Sequence, residues 1–216
     1  TYTLSNSAWN IAHNMSITSG ATVTKGSGTI TFNGTTAATY TDSTATKQNI
    51  GVVVINKTDS GAPSTNNKLT LASSMTADTL TIDGTAGSPD TFDMASGSYT
   101  LTLAFTGAGA TVFEFSGLAT FTAGNGTVEF TATNSSGNID IGCGNEAFYN
   151  LTLTGAETYA DPICAQYIAN NLTVNANATF LPANTYVTGD FTGAGTVGVT
   201  SGYGIDINCN KATCLF

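Results

Sequence analysis

Few side chains in this chain are suited to catalysis. His13 is the only histidine, and no GxSxG motif is present. A Ser/His/Asp site and a Cys/His site both need an imidazole beside the nucleophile. We therefore predict no catalytic residues and no enzymatic activity.

Carboxylates offer a second route to chemistry, because two positioned acids can hydrolyse a glycosidic bond. The candidates are Asp140 with Glu146, or a group formed by Asp78, Asp83, Asp90 and Asp93. No arginine is present to assist them, so a polysaccharide-active β-helix enzyme is the least favoured alternative. We interpret these acids as solvated turn residues.

Residues 83–90 (DGTAGSPD) combine oxygen ligands with glycine turns. Such a segment suits a hard cation, yet it lacks the EF-hand pattern. We predict no cofactor, and a structural calcium ion at this segment stays open as the exception.

The four cysteines indicate an oxidising compartment. Cys143 and Cys164 are well separated, whereas Cys209 and Cys214 lie close together near the C-terminus. An even number of cysteines predicts two disulfides, whose connectivity stays open. Zinc binding is disfavoured, because neither pair has CxxC spacing.

The composition predicts an all-β fold. Thr is the commonest residue, followed by Ala, Gly, Asn and Ser, and only 9% of the residues are charged. Thr favours strands, while Gly and Asn favour turns. Apolar residues alternate with polar ones in short runs, which are typical of half-buried strands: residues 29–32, 69–71, 80–82, 151–153 and 172–174.

The chain also repeats itself. Residues 17–32 align with 115–130 at a shift of 98, and residues 105–109 (FTGAG) recur at 191–195. We predict one repeat-built β domain over 1–216, with units at about 17–114 and 115–205. A partial unit covers 1–16, and a disulfide-closed tail covers 206–216.

Two architectures fit this repeat. In a β-solenoid, successive turns stack and bury a ladder of apolar side chains. In the alternative, a unit of about 100 residues matches an immunoglobulin-like sandwich, giving two tandem β-sandwich domains. We favour the solenoid, because its turns can begin anywhere in the repeat.

A family resemblance rests on four segments in fixed order, namely 126–130 (GTVEF), 148–153 (FYNLTL), 171–174 (NLTV) and 189–192 (GDFT). This order resembles the β-strand repeats of large bacterial and archaeal surface proteins. The resemblance covers most of 98–200 and, more loosely, 2–97. It implies an adhesin-like or fibre-forming role and no catalytic residues.

Charge and surface chemistry complete the prediction. The net charge is −9 and all five basic residues are lysines, which makes nucleic acid an improbable partner. We also expect no membrane span, and Thr1 to be a processed N-terminus. Eight Asn-X-Ser/Thr sequons are candidates for glycosylation: Asn14, Asn33, Asn56, Asn125, Asn134, Asn150, Asn171 and Asn177.

Taken together, these features favour an extracellular or cell-surface structural protein. The leading hypothesis is a self-assembling subunit of a filament or pilus-like fibre, whose partners are copies of itself through β-strand pairing. Assembly residues are predicted at Tyr2, Leu4, Trp9 and Ile11. The alternative is a carbohydrate-binding or adhesion module that recognises surface glycans through Trp9, Tyr40, Tyr149, Tyr159, Tyr167 and Tyr203.

Overall fold

The computed structural model describes residues 1–59, 65–84, 89–107, 111–133, 139–141, 147–198 and 204–208, without the side chains of 139, 140 and 161–165. This part of the chain is all-β and contains no helix. Its strands are β1 (Tyr2–Thr3), β2 (Trp9–Ile11), β3 (Met15–Ile17), β4 (Val23–Thr24), β5 (Thr29–Phe32), β6 (Ala38–Asp42), β7 (Val52–Ile55), β8 (Lys68–Leu71), β9 (Met75–Ala77), β10 (Thr79–Ile82), β11 (Thr91–Asp93), β12 (Thr100–Leu103), β13 (Phe113–Phe115), β14 (Thr120–Thr122), β15 (Thr127–Phe130), β16 (Ile139–Asp140), β17 (Ala147–Phe148), β18 (Asn150–Leu153), β19 (Thr158–Ile168), β20 (Leu172–Val174), β21 (Thr179–Val187), β22 (Phe191–Thr192), β23 (Thr196–Val197) and β24 (Ile205–Ile207).

The strands coil into a β-solenoid of about seven turns. Each strand pairs in parallel with strands one turn away, which builds three faces. The first face contains β2-β5-β7-β10-β13, the second contains β3-β6-β8-β11-β14, and the third contains β9-β12-β15-β18-β20-β22. In the last turns the long strands β19 and β21 pair with each other, with a register shift between Asp161 and Ala165, and form a fourth sheet with β16, β17, β23 and β24.

The predicted solenoid is thus confirmed, and the tandem-sandwich alternative is wrong. Every named strand pair in the described residues is parallel. Immunoglobulin-like sandwiches are built from antiparallel strands instead.

Every second side chain of the strands points into the core. In β5, β7, β8, β10, β12, β15 and β18 every second residue is buried. Because the ladders are in register, buried residues of successive turns stack on one another, as Leu101, Val128, Leu151 and Leu172 do on the third face. Burying one such side chain contributes about 1.5–3 kcal/mol.

Five aromatic rings connect the middle turns. Phe148 lies 6.1 Å from both Phe113 and Phe121, between ring centroids, and Phe121 lies 5.9 Å from Phe92. Phe115 packs on Phe113 at 4.6 Å. In the described residues β13 has no ladder partner in the following turn. The turn of β13 is therefore joined to the following turn by these ring contacts and by the continuous ladder of the third face.

The turns are not of equal length. On the first face the turns lengthen from 21 residues (Trp9 to Ile30) to 27 (Val53 to Leu80). On the third face they then shorten from 27 residues to 19 between the successive ladder partners Leu101, Val128, Leu151, Leu172 and Phe191. The shift of 98 residues carries β5 on the first face onto β15 on the third. The units 17–114 and 115–205 are therefore not whole numbers of turns, and they stay a prediction about the sequence.

Glycine allows close stacking at the corner between the first and second faces. Gly117 has φ +60°, a left-handed conformation that favours glycine. A Cβ atom on Gly117 would lie 2.1 Å from the carbonyl oxygen of Gly84 in the preceding turn. A side chain at this position would push the two turns apart.

Candidate functional site

The first turn of the described chain is distinguished by its strand pairing. Among the residues that the structure describes, strands β1, β2 and β3 each pair on one side only, with β4, β5 and β6 respectively. The N–H of Asn33 donates to the carbonyl of Ile11 (3.0 Å), and the N–H of Ser43 donates to that of Ile17 (2.8 Å). Successive peptide groups of a strand point to opposite sides. Those of Asn10 and Ser16 therefore point away from the solenoid.

An apolar groove lies beside this edge and brings the predicted assembly residues together. Its volume is about 290 Å³. Tyr2 and Trp9 are 53% and 40% exposed, whereas Leu4 is only 8% exposed. The indole Nε1–H of Trp9 donates to Ser5 Oγ (3.2 Å). The lining is Tyr2, Thr3, Leu4, Trp9, Ile11, Asn14, Met15, Ser16, Ile17, Val23 and Ile30.

A second, smaller groove lies among the last described turns. It has a volume of about 170 Å³ and is lined by Leu172, Phe191, Val197, Ile205 and Ile207. In the described part of the chain, β22, β23 and β24 each pair with a single strand. Both terminal turns of this part thus combine strand edges with apolar side chains.

The corner between the first and second faces contains a buried polar network. Lys57 is only 4% exposed, and its Nζ donates to the carbonyls of Asn33 (2.6 Å) and Ala12 (3.3 Å) in two earlier turns. Burial lowers the pKa of the Lys57 ammonium, and the charge of Asp90 opposes that shift. Sequence reasoning missed this role, because nothing around Lys57 in the sequence distinguishes it from a surface lysine.

Asp90 corrects one sequence-based expectation. We expected a solvated turn residue, but Asp90 is 1% exposed. Its Oδ2 accepts a hydrogen bond from the backbone N–H of Lys57 (2.7 Å). Burial raises the pKa of the Asp90 carboxyl to about 7, a rise that the Lys57 N–H opposes and the charge of Asp83 reinforces.

Two of the other candidate acids, Asp78 and Asp93, each pair with a lysine. Asp78 pairs with Lys25 and accepts from Asn49 Nδ2, while Asp93 pairs with Lys68 at 3.3 Å. The side chain of Asp140 and all of Glu146 lie outside the described residues. Within the described part, no three His, Cys, Asp or Glu side chains are grouped so as to hold a metal ion.

His13 is exposed, and its Nδ1 lies 3.0 Å from Thr36 Oγ1. Neither of the two predicted disulfides can be placed, because the side chain of Cys164 and the residues Cys143, Cys209 and Cys214 lie outside the described part. The disulfides therefore stay a prediction.

The predicted sugar-stacking tyrosines separate into two classes. Tyr40 and Tyr159 are fully buried, so their inclusion was wrong. Burial raises the pKa of both phenols. Tyr167 instead stacks on Tyr186, which the sequence analysis missed, with centroids 5.0 Å apart and an interplanar angle of 11°.

These two rings lie on β19 and β21 of the fourth sheet and are 42% and 39% exposed. Their register in the β19–β21 ladder explains the stacking. Of the remaining candidates, Tyr149 is half-buried and packs against the core, and Tyr203 lies outside the described residues.

The sequons also differ in accessibility. Asn14, Asn56, Asn125 and Asn177 are exposed, and Asn33, Asn150 and Asn171 are partly buried. The Asn150 side chain accepts from Asn170 Nδ2 (2.8 Å), and Asn171 Oδ1 accepts from the N–H of Asp190 (3.1 Å). These amides tie successive turns together. Asn134 lies outside the described residues.

Comparison with known proteins identifies no relative: no family model, no curated protein and no solved structure matches this chain. The resemblance to repeats of surface proteins therefore stays a prediction. Among the described residues, no helix is long and apolar enough to cross a bilayer.

Proposed function

We propose that this chain is a structural subunit of an extracellular filament or surface fibre, joined to copies of itself by parallel strand pairing. The observation that supports it is the first turn, where three strands line an apolar groove and, in the described part of the chain, have a ladder partner on one side only. An exposed strand edge is a template for another strand. The proposal gives the chain no catalytic role.

The geometry of a solenoid favours head-to-tail contact. All ladders are parallel, so a copy added at one end continues the strands in the same direction. A contact between two different ends is heterologous and produces an open filament when the rotation does not close. The groove of the last described turns supplies the second apolar surface that such a contact needs.

Localisation outside the cell is part of the proposal. It is supported by the low charge, the eight sequons and the even number of cysteines. Four of the sequons lie on exposed positions of the solenoid, so glycans there would leave the buried core undisturbed.

Electron microscopy and light scattering test the proposal directly. We expect the chain to form uniform fibres whose mass rises with concentration. The double variant Asn10→Pro/Ser16→Pro removes two outward N–H groups and should stay monomeric. The matched variant Asn10→Thr/Ser16→Thr keeps both donors and should still assemble.

Two results would contradict the proposal. The first is a wild-type chain that stays monomeric at high concentration. The second is a proline variant that retains native circular dichroism and still forms fibres.

A carbohydrate-binding role is the second candidate, and the exposed Tyr167–Tyr186 pair favours it. Flat aromatic rings with a polar tip are suited to contacts with sugar rings. A glycan array should show binding that Tyr167→Ala/Tyr186→Ala abolishes and Tyr2→Ala leaves unchanged. An array with no signal dismisses this candidate.

A further inference from the structure

Two carboxylates lie on either side of one corner of the solenoid. Asp83 follows β10 directly, and Asp90 immediately precedes β11, so both belong to the passage from the first face to the second. The N–H of Asp83 donates to the carbonyl of Ile55 (2.9 Å), and Asp90 Oδ2 accepts from the N–H of Lys57, two residues further on (2.7 Å), so both residues reach the same end of β7.

One oxygen of Asp90 is buried without a partner. Oδ2 accepts the N–H of Lys57, but Oδ1 has no hydrogen-bond partner although the residue is 1% exposed. Leaving a buried carboxylate oxygen unpaired costs free energy, and such groups are normally paired or bound to a metal. The Lys57 ammonium does not satisfy it, because Lys57 Nζ donates to the carbonyls of Asn33 and Ala12.

The next turn adds a further oxygen. Ser116 Oγ donates to Asp83 Oδ1 (3.0 Å), and the N–H of Gly84 donates to the same hydroxyl (3.3 Å). These bonds hold the Asp83 carboxylate at the corner, on the side of the following turn. The corner thus collects carboxylate and hydroxyl oxygens, which are ligands of hard cations.

We propose that Asp83 and Asp90 bind a divalent calcium ion at this corner, with the unpartnered Oδ1 of Asp90 as one ligand. Calcium fits better than magnesium, because it accepts irregular sets of oxygen ligands and water, whereas magnesium demands near-octahedral geometry. The ion connects the end of β10 to the start of β11. The proposal is independent of self-assembly.

The small number of charged ligands sets the expected affinity. Calcium affinity depends on how many carboxylates a site contributes, and weak sites in extracellular modules bind at about 0.1–1 mM. We expect this range for a site with two carboxylates. Such a site would be filled at the millimolar calcium concentrations found outside cells.

Calorimetric titration of the chelator-treated chain with calcium chloride tests the site, with thermal unfolding as a second readout. The wild type should bind one ion and show a higher Tm with calcium. Asp90→Asn and Asp83→Asn should each lose both effects. Glu114→Gln, which removes an exposed carboxylate from the neighbouring strand β13, should retain them.

Two outcomes would overturn the site. One is no calcium-dependent heat or Tm change up to about 10 mM, well above the range expected for weak sites. The other is an unchanged calcium response in both aspartate variants. Should Asp90→Asn fail to fold, Asp83→Asn decides the question, because Asp83 is only partly buried.

Discussion

The ionisation of Asp90, at the corner between the first and second faces, makes the free energy of unfolding depend on pH. Its carboxyl is buried and has a folded-state pKa of about 7, against about 3.9 for an unperturbed aspartate. The folded chain therefore holds a proton on this group over a pH range in which the unfolded chain has released it. The groups that act on it are the Lys57 N–H, the Lys57 charge and the charge of Asp83.

We predict that stability falls as pH rises from about 4 to about 7, because over this range the folded state binds more protons than the unfolded state. The loss should be on the order of 4 kcal/mol and should level off above pH 7. Urea unfolding of the chelator-treated chain at a series of pH values measures it. Asp90→Asn should flatten this part of the profile, and an unchanged slope in the variant would contradict the assignment.

Individual polar residues in the corners were the least predictable from the sequence. The bond from the Lys57 N–H to Asp90 joins residues 33 positions apart, and Lys57 Nζ reaches Ala12 across 45 positions. A lysine and an aspartate in Gly- and Asn-rich segments look like surface residues until the turns are stacked. Their burial follows from the register between turns, which local sequence does not reveal.

Strands were far more predictable than corners. The five alternating runs named from the sequence all lie in strands with alternate residues buried: β5, β8, β10, β18 and β20. A period of two determines which side chains face inward regardless of the partner strand. The sequence could not say which face each strand occupies, because all three faces use the same pattern.

Neighbouring residues in β18 provide a test of this alternation. Leu151 is fully buried between Val128 and Leu172, whereas Thr152 points outward in the same strand. Leu151→Ala should lower the free energy of unfolding by about 2–5 kcal/mol through lost burial and a cavity. Thr152→Ala should change it by no more than about 0.5 kcal/mol.

Chemical denaturation of the two variants measures both effects on one strand. Equal losses in the two variants would contradict the inward and outward assignment of this face. The comparison also controls for strand propensity, since both changes place alanine in the same strand.

At the scale of the whole molecule, ion pairs between turns explain part of the uneven distribution of charge along the sequence. Residues 1–68 carry four lysines and two aspartates, while the rest carries one lysine and twelve carboxylates. Lys25 and Lys68 pair with Asp78 and Asp93 of later turns. Their charges are therefore partly neutralised within the solenoid, and assembly in our proposal depends mainly on strand edges and apolar contact.

The single tryptophan reports on this edge. Trp9 lies on β2 in the first turn and is 40% exposed, and the chain has no other tryptophan. If a copy of the chain covers the first turn, the indole leaves water and its emission maximum shifts to shorter wavelength. We predict a blue shift that grows with protein concentration and reverses on dilution.

The matched control is Asn10→Pro/Ser16→Pro, which keeps Trp9 but should block pairing at the edge, so its emission should not depend on concentration. A spectrum independent of concentration in a wild-type sample that light scattering shows to be assembled would place the contact elsewhere on the molecule. The grooves of the first and last described turns differ in volume and lining. Trp9 can therefore be covered in nearly every copy in two ways: by the last turn of another copy, in a head-to-tail arrangement, or by the first turn of another copy, in a symmetric pair. Fibre mass separates these two arrangements, since paired first turns stop at a dimer.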